Sequence, residues 1–190
     1  MDDLSTADAM RERVSVLIVD DTPANRLAFS AALSSLPIDI VVADSGTQAL
    51  ARVMERDFAV ILLDVRMPIM DGFQTAELIR ARESSRYTPI VFTSAHDMTP
   101  AQVTRAYVAG ATDYVPSPVD AEILTFKVAA FVVLHLRNES VRKALNELSA
   151  TCRALQADLA AGDGMNQGLR DHIASLQPTL ERLQMQLGRP

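Results

Sequence analysis

Three carboxylates stand at positions from which they can act together. Asp20 and Asp21 close the apolar run Val16-Leu17-Ile18-Val19, and Asp64 closes a second run, Phe58-Ala59-Val60-Ile61-Leu62-Leu63. Two buried strands of one parallel sheet that both finish in acids would bring the three to one edge. Neighbouring carboxylates repel, and a hard divalent cation relieves that repulsion. Mg²⁺ prefers oxygen ligands, few protein groups and several waters, and it neutralises incoming phosphate charge. An aspartate can take a phosphoryl group as an acyl phosphate, and the protein then supplies little beyond position and charge neutralisation. The plain alternatives are adjacent surface acids at Asp20-Asp21 and a turn cap at Asp64. The context of Asp64 weighs against them: Met67-Pro68 turns the loop and Asp71-Gly72 opens the next helix.

The elements that must position these acids are legible as alternating apolar runs and amphipathic stretches. Strands are expected at 14–19, 38–42, 58–63, 89–93 and 112–115. Helices are expected at about 24–35, 46–55, 72–81, 99–108 and from 119 onward. Five βα units in series predict an α/β fold, a five-stranded doubly wound parallel sheet covered on both faces. In such folds the site lies beyond the carboxyl ends of the strands, at the switch point. Asp20, Asp21, Asp64 and Ser94 all fall at predicted strand ends.

Composition bounds the rest. The chain has 190 residues, 48% of them hydrophobic, so one domain plus an accessory segment can hold a core. The single cysteine, Cys152, excludes an internal disulfide and fits a reducing compartment. No apolar run approaches the roughly 18 residues of a membrane span, and the acidic N-terminus lacks the order of a signal peptide. A cytoplasmic protein without membrane insertion is expected. The net charge is −6. It belongs to residues 1–137, which carry 12 Lys+Arg against 18 Asp+Glu; residues 138–190 carry 6 of each. Neither part has the basic stripe of a nucleic-acid binder.

Four motifs in order resemble the receiver domain of bacterial two-component response regulators. They are Asp20-Asp21, Asp64-Val65-Arg66-Met67-Pro68-Ile69-Met70-Asp71-Gly72, Pro89-Ile90-Val91-Phe92-Thr93-Ser94-Ala95 and Gly110-Ala111-Thr112-Asp113-Tyr114-Val115-Pro116-Ser117-Pro118. The resemblance covers residues 14–135 and implies a flavodoxin-like sheet. It implies that Asp64 accepts phosphate from a sensor histidine kinase or a phosphotransfer protein. Mg²⁺ would be bound by Asp21 and Asp64 through side chains, by the Arg66 backbone carbonyl, and by Asp20 mainly through water. Ser94 would be the switch hydroxyl, chosen over Thr93 because it lies five residues after Pro89 and directly before Ala95. Tyr114 would be the switch aromatic. One position departs from the family pattern: Ser117 stands where the family has a lysine. A serine offers a phosphoryl oxygen only a neutral hydrogen bond, and charge-assisted bonds are roughly twice as strong. Arg66, two residues after the acceptor, is a candidate phosphate neighbour that would restore part of that charge; the plain reading is a solvated arginine. The resemblance also implies a cis Ser117–Pro118 bond.

Residues 1–13 read as a disordered N-terminus and 136–190 as a C-terminal α-helical coiled coil. Phe131, Leu134, Asn138, Val141, Leu145, Leu148, Cys152, Leu155 and Leu159 follow alternating steps of three and four, an a/d heptad seam with Phe131 at a. Gly162-Asp163-Gly164 interrupts it. The second series, Leu169, Ile173, Leu176, Leu180, Leu183 and Leu187, keeps the frame, with Ile173 and Leu180 at a and Leu176 and Leu183 at d. The kept phase favours a continuous or kinked rod. Gly162, Gly164, Gly168 and Pro178 argue for a break, as do the similar lengths of the two halves. A seam needs a cover, and a second copy is the simplest; Asn138 and Asn166 at a positions would fix register in a parallel pair. His135 at e, His172 at g and His96 in a loop read as solvated residues before they read as phosphotransfer or partner sites.

These features predict a phosphoacceptor regulator that signals through a homodimeric coil to an unknown downstream protein, with no separate catalytic output domain. The alternatives are a degenerate receiver working as a scaffold, a receiver and stalk of a larger effector, and a histidine phosphotransfer protein. An aspartyl phosphatase of the haloacid-dehalogenase kind is excluded, because Asp64-Val65-Arg66 lacks its Asp-x-Asp.

Overall fold

The computed structural model describes residues 13–94, 99–116, 119–161 and 167–186. The chain divides into two compact units, Met1–Leu134 and His135–Pro190.

In the first unit, five strands form one sheet: β1 (Val14–Val19), β2 (Ile38–Ala43), β3 (Val60–Asp64), β4 (Ile90–Ser94) and β5 (Asp113–Pro116). Their order is β2-β1-β3-β4-β5 and every pairing is parallel. β-Branched and leucine side chains dominate the inner strands, and these are buried on both faces: β4 is buried throughout, and β3 up to its last residue. β3 begins at Val60 rather than at Phe58. Phe58 and Ala59 are buried without belonging to the strand, and the Ala59 N–H donates to the Ser15 carbonyl at 2.9 Å.

Two apolar layers follow from the alternation of strand side chains. On one face Leu17, Val19, Ile61, Leu63, Ile90 and Phe92 pack with α2 (Gly46–Glu55), α3 (Gly72–Ala81) and α4 (Pro100–Val108) through residues such as Val53, Phe73, Ile79 and Ala106. On the other, Val16, Ile18, Val60, Leu62 and Val91 pack with α1 (Pro23–Leu33) and the start of α5 (Ala121–Ala161) through Phe29, Leu33, Leu124 and Val128. A side chain such as Leu63 or Ile61, fully buried here, contributes roughly 1.5–3 kcal/mol. Capping sets where the helices start. Ser45 accepts from the Gln48 N–H, and Asp71 with Gln74 and Thr99 with Gln102 form reciprocal capping boxes. The Arg80 guanidinium donates to the carbonyls of Gly110, Ser85 and Thr88, which ties α3 to the chain entering β4 and β5.

In the second unit, α5 ends at Ala161 and α6 spans Gln167–Gln186. Cys152 and Leu180 are both buried in one cluster with Leu145 packed against it. The separation of 28 positions between Cys152 and Leu180 would span ~42 Å on one straight helix. Their packing therefore requires the chain to fold back, and the continuous rod favoured by the kept heptad phase is replaced by a helical hairpin. Pro178 lies inside α6 without ending it. Of the positions singled out in the sequence, Ala95, His96, Ser117-Pro118, Gly162-Asp163-Gly164, Asn166 and Leu187 lie outside the described residues, as do residues 1–12.

Candidate phosphoacceptor and metal site

The strand order reverses direction between β1 and β3, and the acids sit at that switch point. Asp20 and Asp21 follow β1, and Asp64 is the last residue of β3. Carboxylate oxygens of Asp20, Asp21 and Asp64 lie within 4.8 Å of one another. Two stretches more than 40 residues apart thus meet as the apolar runs predict. Asp20 is buried, Asp64 half-buried and Asp21 exposed, so the cluster opens to solvent through Asp21.

Neighbouring groups hold each acid in place. Asp20 Oδ1 accepts from the Thr22 N–H at 2.8 Å, and Asn25 Nδ2 donates to both Asp20 oxygens at 3.2 and 3.0 Å. Arg26 Nη1 donates to the Asp20 carbonyl at 2.6 Å. The Thr22 hydroxyl, in the N-cap position of α1, donates to Asp21 Oδ1 at 3.3 Å instead of capping its own helix. Asp64 Oδ2 accepts from the Arg66 N–H at 3.2 Å. Thr22, Asn25 and Arg26 were not singled out from the sequence. Their signal was the start of a helix at Thr22-Pro23 directly after the two acids, which aims the first turn back at Asp20.

The electrostatics are those of acids crowded together. Burial pushes the Asp64 carboxyl up to about 6, the charges of Asp20 and Asp21 add to the rise, and the backbone N–H groups of Arg66 and Val65 oppose it. Burial likewise raises Asp20, against its hydrogen bonds from Thr22 and Asn25. A set of clustered carboxylate oxygens with two members pushed toward the neutral form is the donor set a hard divalent cation fits.

The loop after Asp64 is tightly built. Gly72 donates its N–H to the Val65 carbonyl at 3.0 Å. Ile69 is fully exposed at a φ of 71°, and the Met70 N–H reaches back to the Pro68 carbonyl at 2.8 Å. A β-branched residue in that region stores strain of about 1–3 kcal/mol, beside the acid cluster. Met67 is buried in the core, as a packing residue would be, and Met70 is half-buried.

The other site candidates among the described residues fall on β4, on β5 and in the loop after β3. Ser94 is buried at the end of β4. Thr93 is the register partner of Asp64, and its buried hydroxyl lacks a hydrogen-bond partner among the described residues. Tyr114, in β5, is paired in register with Phe92 and packs partly buried on the α2–α4 side of the core. Arg66 is exposed. Sequence reasoning also passed over Arg105. Its guanidinium lies 4.3 Å over the Phe73 ring and 3.5 Å from Asp71 Oδ2, and the Phe73 ring meets that of Phe92 at 5.2 Å with a tilt of 55°. This chain of contacts joins α4 to the start of α3.

A doubly wound 2-1-3-4-5 sheet with three acids at its switch point defines a receiver of the phosphoacceptor kind. Residues 16–129 match the response regulator receiver domain, and the chain belongs to that family. It is 36% identical over 121 residues to the signal transduction histidine-protein kinase BarA of Shigella flexneri, covering 64% of this chain and 13% of that protein. The chain thus spans a small part of the length of such curated relatives. Among solved structures, the chemotaxis protein CheY4 of Vibrio cholerae superposes with a TM-score of 0.59 at 28% identity, over 63% of this chain and 98% of that one. The receiver domain of sensor histidine kinase PA1611 of Pseudomonas aeruginosa, solved with a magnesium ion coordinated in its active-site cleft, gives 0.58 at 28% identity, over 63% and 98%. No helix among the described residues is long and apolar enough to cross a membrane.

Proposed function

We propose that this chain is a phosphoacceptor response regulator that takes a phosphoryl group on Asp64 and signals through a dimeric C-terminal helical segment to a downstream protein. The observation that carries the proposal is the convergence of Asp20, Asp21 and Asp64 within 4.8 Å. Asp21 and Asp64, with the Arg66 backbone carbonyl, would hold Mg²⁺ directly. Asp20, whose oxygens already accept from Thr22 and Asn25, suits a role through water. The bound cation supplies charge neutralisation for the incoming phosphate.

Asp64 does the chemistry. An oxygen of its carboxylate attacks phosphorus, the bond from phosphorus to the donor's imidazole nitrogen breaks, and that nitrogen keeps the electron pair. The donor is the phosphohistidine of a kinase or phosphotransfer protein. Ser94 is the hydroxyl that turns to the phosphoryl oxygens, and Tyr114 follows it inward. Ser117 replaces an ammonium partner with a neutral donor, and Arg66 contributes positive charge at the rim. A serine at position 117, where the family has a lysine, favours a second reading, a scaffold that works by protein contacts without phosphorylation. Incubation with acetyl phosphate and Mg²⁺, read by intact mass, separates the two. A gain of about 80 Da, the mass of a phosphoryl group, that disappears in Asp64→Ala supports the acceptor. No gain supports the scaffold.

A further inference from the structure

The hairpin uses only half of its heptad seam. Leu145, Cys152 and Leu180 occupy a positions, and they form the cluster that joins α5 to α6. The d positions tell the opposite story in both helices. Val141, Leu148 and Leu155 on α5 are 48%, 49% and 47% exposed, and Leu176 and Leu183 on α6 are 42% and 40% exposed. On α5, half-buried Leu145 and buried Cys152 pack in the cluster with Leu180, whereas Val141, Leu148 and Leu155 are exposed.

We infer that the d line of α5 and α6 is the contact surface for a second copy of the hairpin, giving a four-helix bundle. This rests on the dimeric reading above, and each chain contributes two antiparallel helices to the bundle.

Four features select a second copy as the occupant. An apolar d line present on both helices is what a bundle core requires, because each hairpin supplies one layer and needs another. A C₂ contact brings the same patch together twice, so Leu148, Leu155, Leu176 and Leu183 need only apolar surface like their own. The charge balance permits it: residues 138–190 carry six Lys+Arg and six Asp+Glu, so the segments do not repel as two copies of the acidic first unit would. The area suffices as well. α6 has 20 residues, hence ~30 Å of length, and two helices side by side present roughly 600 Å² of projected face, near the ~800 Å² per partner of a standard interface.

Sedimentation equilibrium of the full chain tests this. The wild type is expected at twice its 20.7 kDa chain mass. Leu148→Glu combined with Leu183→Glu is expected at the single-chain mass with unchanged helical circular dichroism, because neither side chain is buried within the hairpin. If the double variant loses helicity, Leu155→Gln with Leu176→Gln gives the same comparison with less perturbation, and dimer loss is again expected. A wild type that is monomeric at ~100 µM overturns the inference, as does a double variant that stays dimeric or a wild type that assembles only with a foreign protein. Acetyl phosphate labelling of the monomeric variant is read in parallel. Labelling retained on Asp64 shows that the phosphoacceptor reading stands independently of the bundle, and labelling absent in wild type and variant alike counts against the phosphoacceptor while leaving the bundle result intact.

Discussion

A Cβ built on Gly72 would lie 2.2 Å from the Asp64 backbone oxygen. The first turn of α3 therefore presses against the backbone of the acceptor, and only a residue without a side chain fits. Gly72→Ala must push α3 or β3 aside and break the hydrogen bond from Gly72 to Val65. Overpacking of this kind costs about 1–3 kcal/mol. The expected outcome is a Tm lower by roughly 3–10 °C, together with weakened Mg²⁺ binding, measured by thermal unfolding and calorimetric titration. A variant as stable and as competent as wild type would show that the contact does not constrain the site.

Asp64 should destabilise the metal-free protein at neutral pH. Its folded pKa of about 6 exceeds the ordinary 3.8, so the folded state holds its proton more tightly than the unfolded state does. Stability then falls as pH rises from about 3.8 to about 6 and stays low above that. Asp64→Asn removes the ionisation. In EDTA at pH 8 its Tm is expected to exceed that of wild type by roughly 2–6 °C, and the gap should close near pH 4. Adding Mg²⁺ should raise the wild type and leave Asp64→Asn nearly unchanged. A variant less stable than wild type at pH 8 in EDTA would contradict the crowding of the acids.

Ser94 and Arg66 are assigned separable roles. Beryllofluoride with Mg²⁺ is expected to slow amide exchange across residues 90–116 in wild type and in Thr93→Val, and to fail to do so in Ser94→Ala. The reverse pattern would transfer the switch to Thr93, whose buried hydroxyl lacks a partner among the described residues. Arg66→Ala is expected to weaken beryllofluoride binding about 2–5-fold, the scale of a solvent-screened charge contact.

Much of the receiver was legible because its signals are local and repeated. Each apolar run ending in a polar residue marked a strand end, and Asp20, Asp21 and Asp64 inherited their common edge from the parallel order. The support of Asp20 by Asn25 and Arg26 was not legible, because a helix-surface asparagine reads as solvated until the strand beside it is placed. Phe58 and Ala59 continue an apolar run and were read as strand, yet their burial comes from packing ahead of β3. The choice between rod and hairpin stays open in the sequence for a different reason. A heptad frame held across Gly162-Asp163-Gly164 is compatible with one rod or with two helices that each need a seam, so phase alone does not report direction. The exposure of Leu148 and Leu183 beside the burial of Cys152 and Leu180 does.

Cys152 reports on that packing. The residue is 5% exposed, in the cluster with Leu180. Thiol titration of the native protein with a disulfide reagent is expected to be slow, and Leu180→Ala, by opening the cluster, should accelerate it at least about tenfold, the equivalent of ~1.4 kcal/mol of local opening. On a continuous rod Leu180 would lie too far away to matter, so an unchanged rate would restore the rod.

The central claim is that three acids from two distant stretches form one cation site, and calorimetric titration of the full chain with Mg²⁺ tests it most directly. The account predicts one site per chain, abolished by Asp64→Asn and by Asp21→Asn, with Asp20→Asn weakened. Equal binding in wild type and all three variants, or none in wild type, would contradict it.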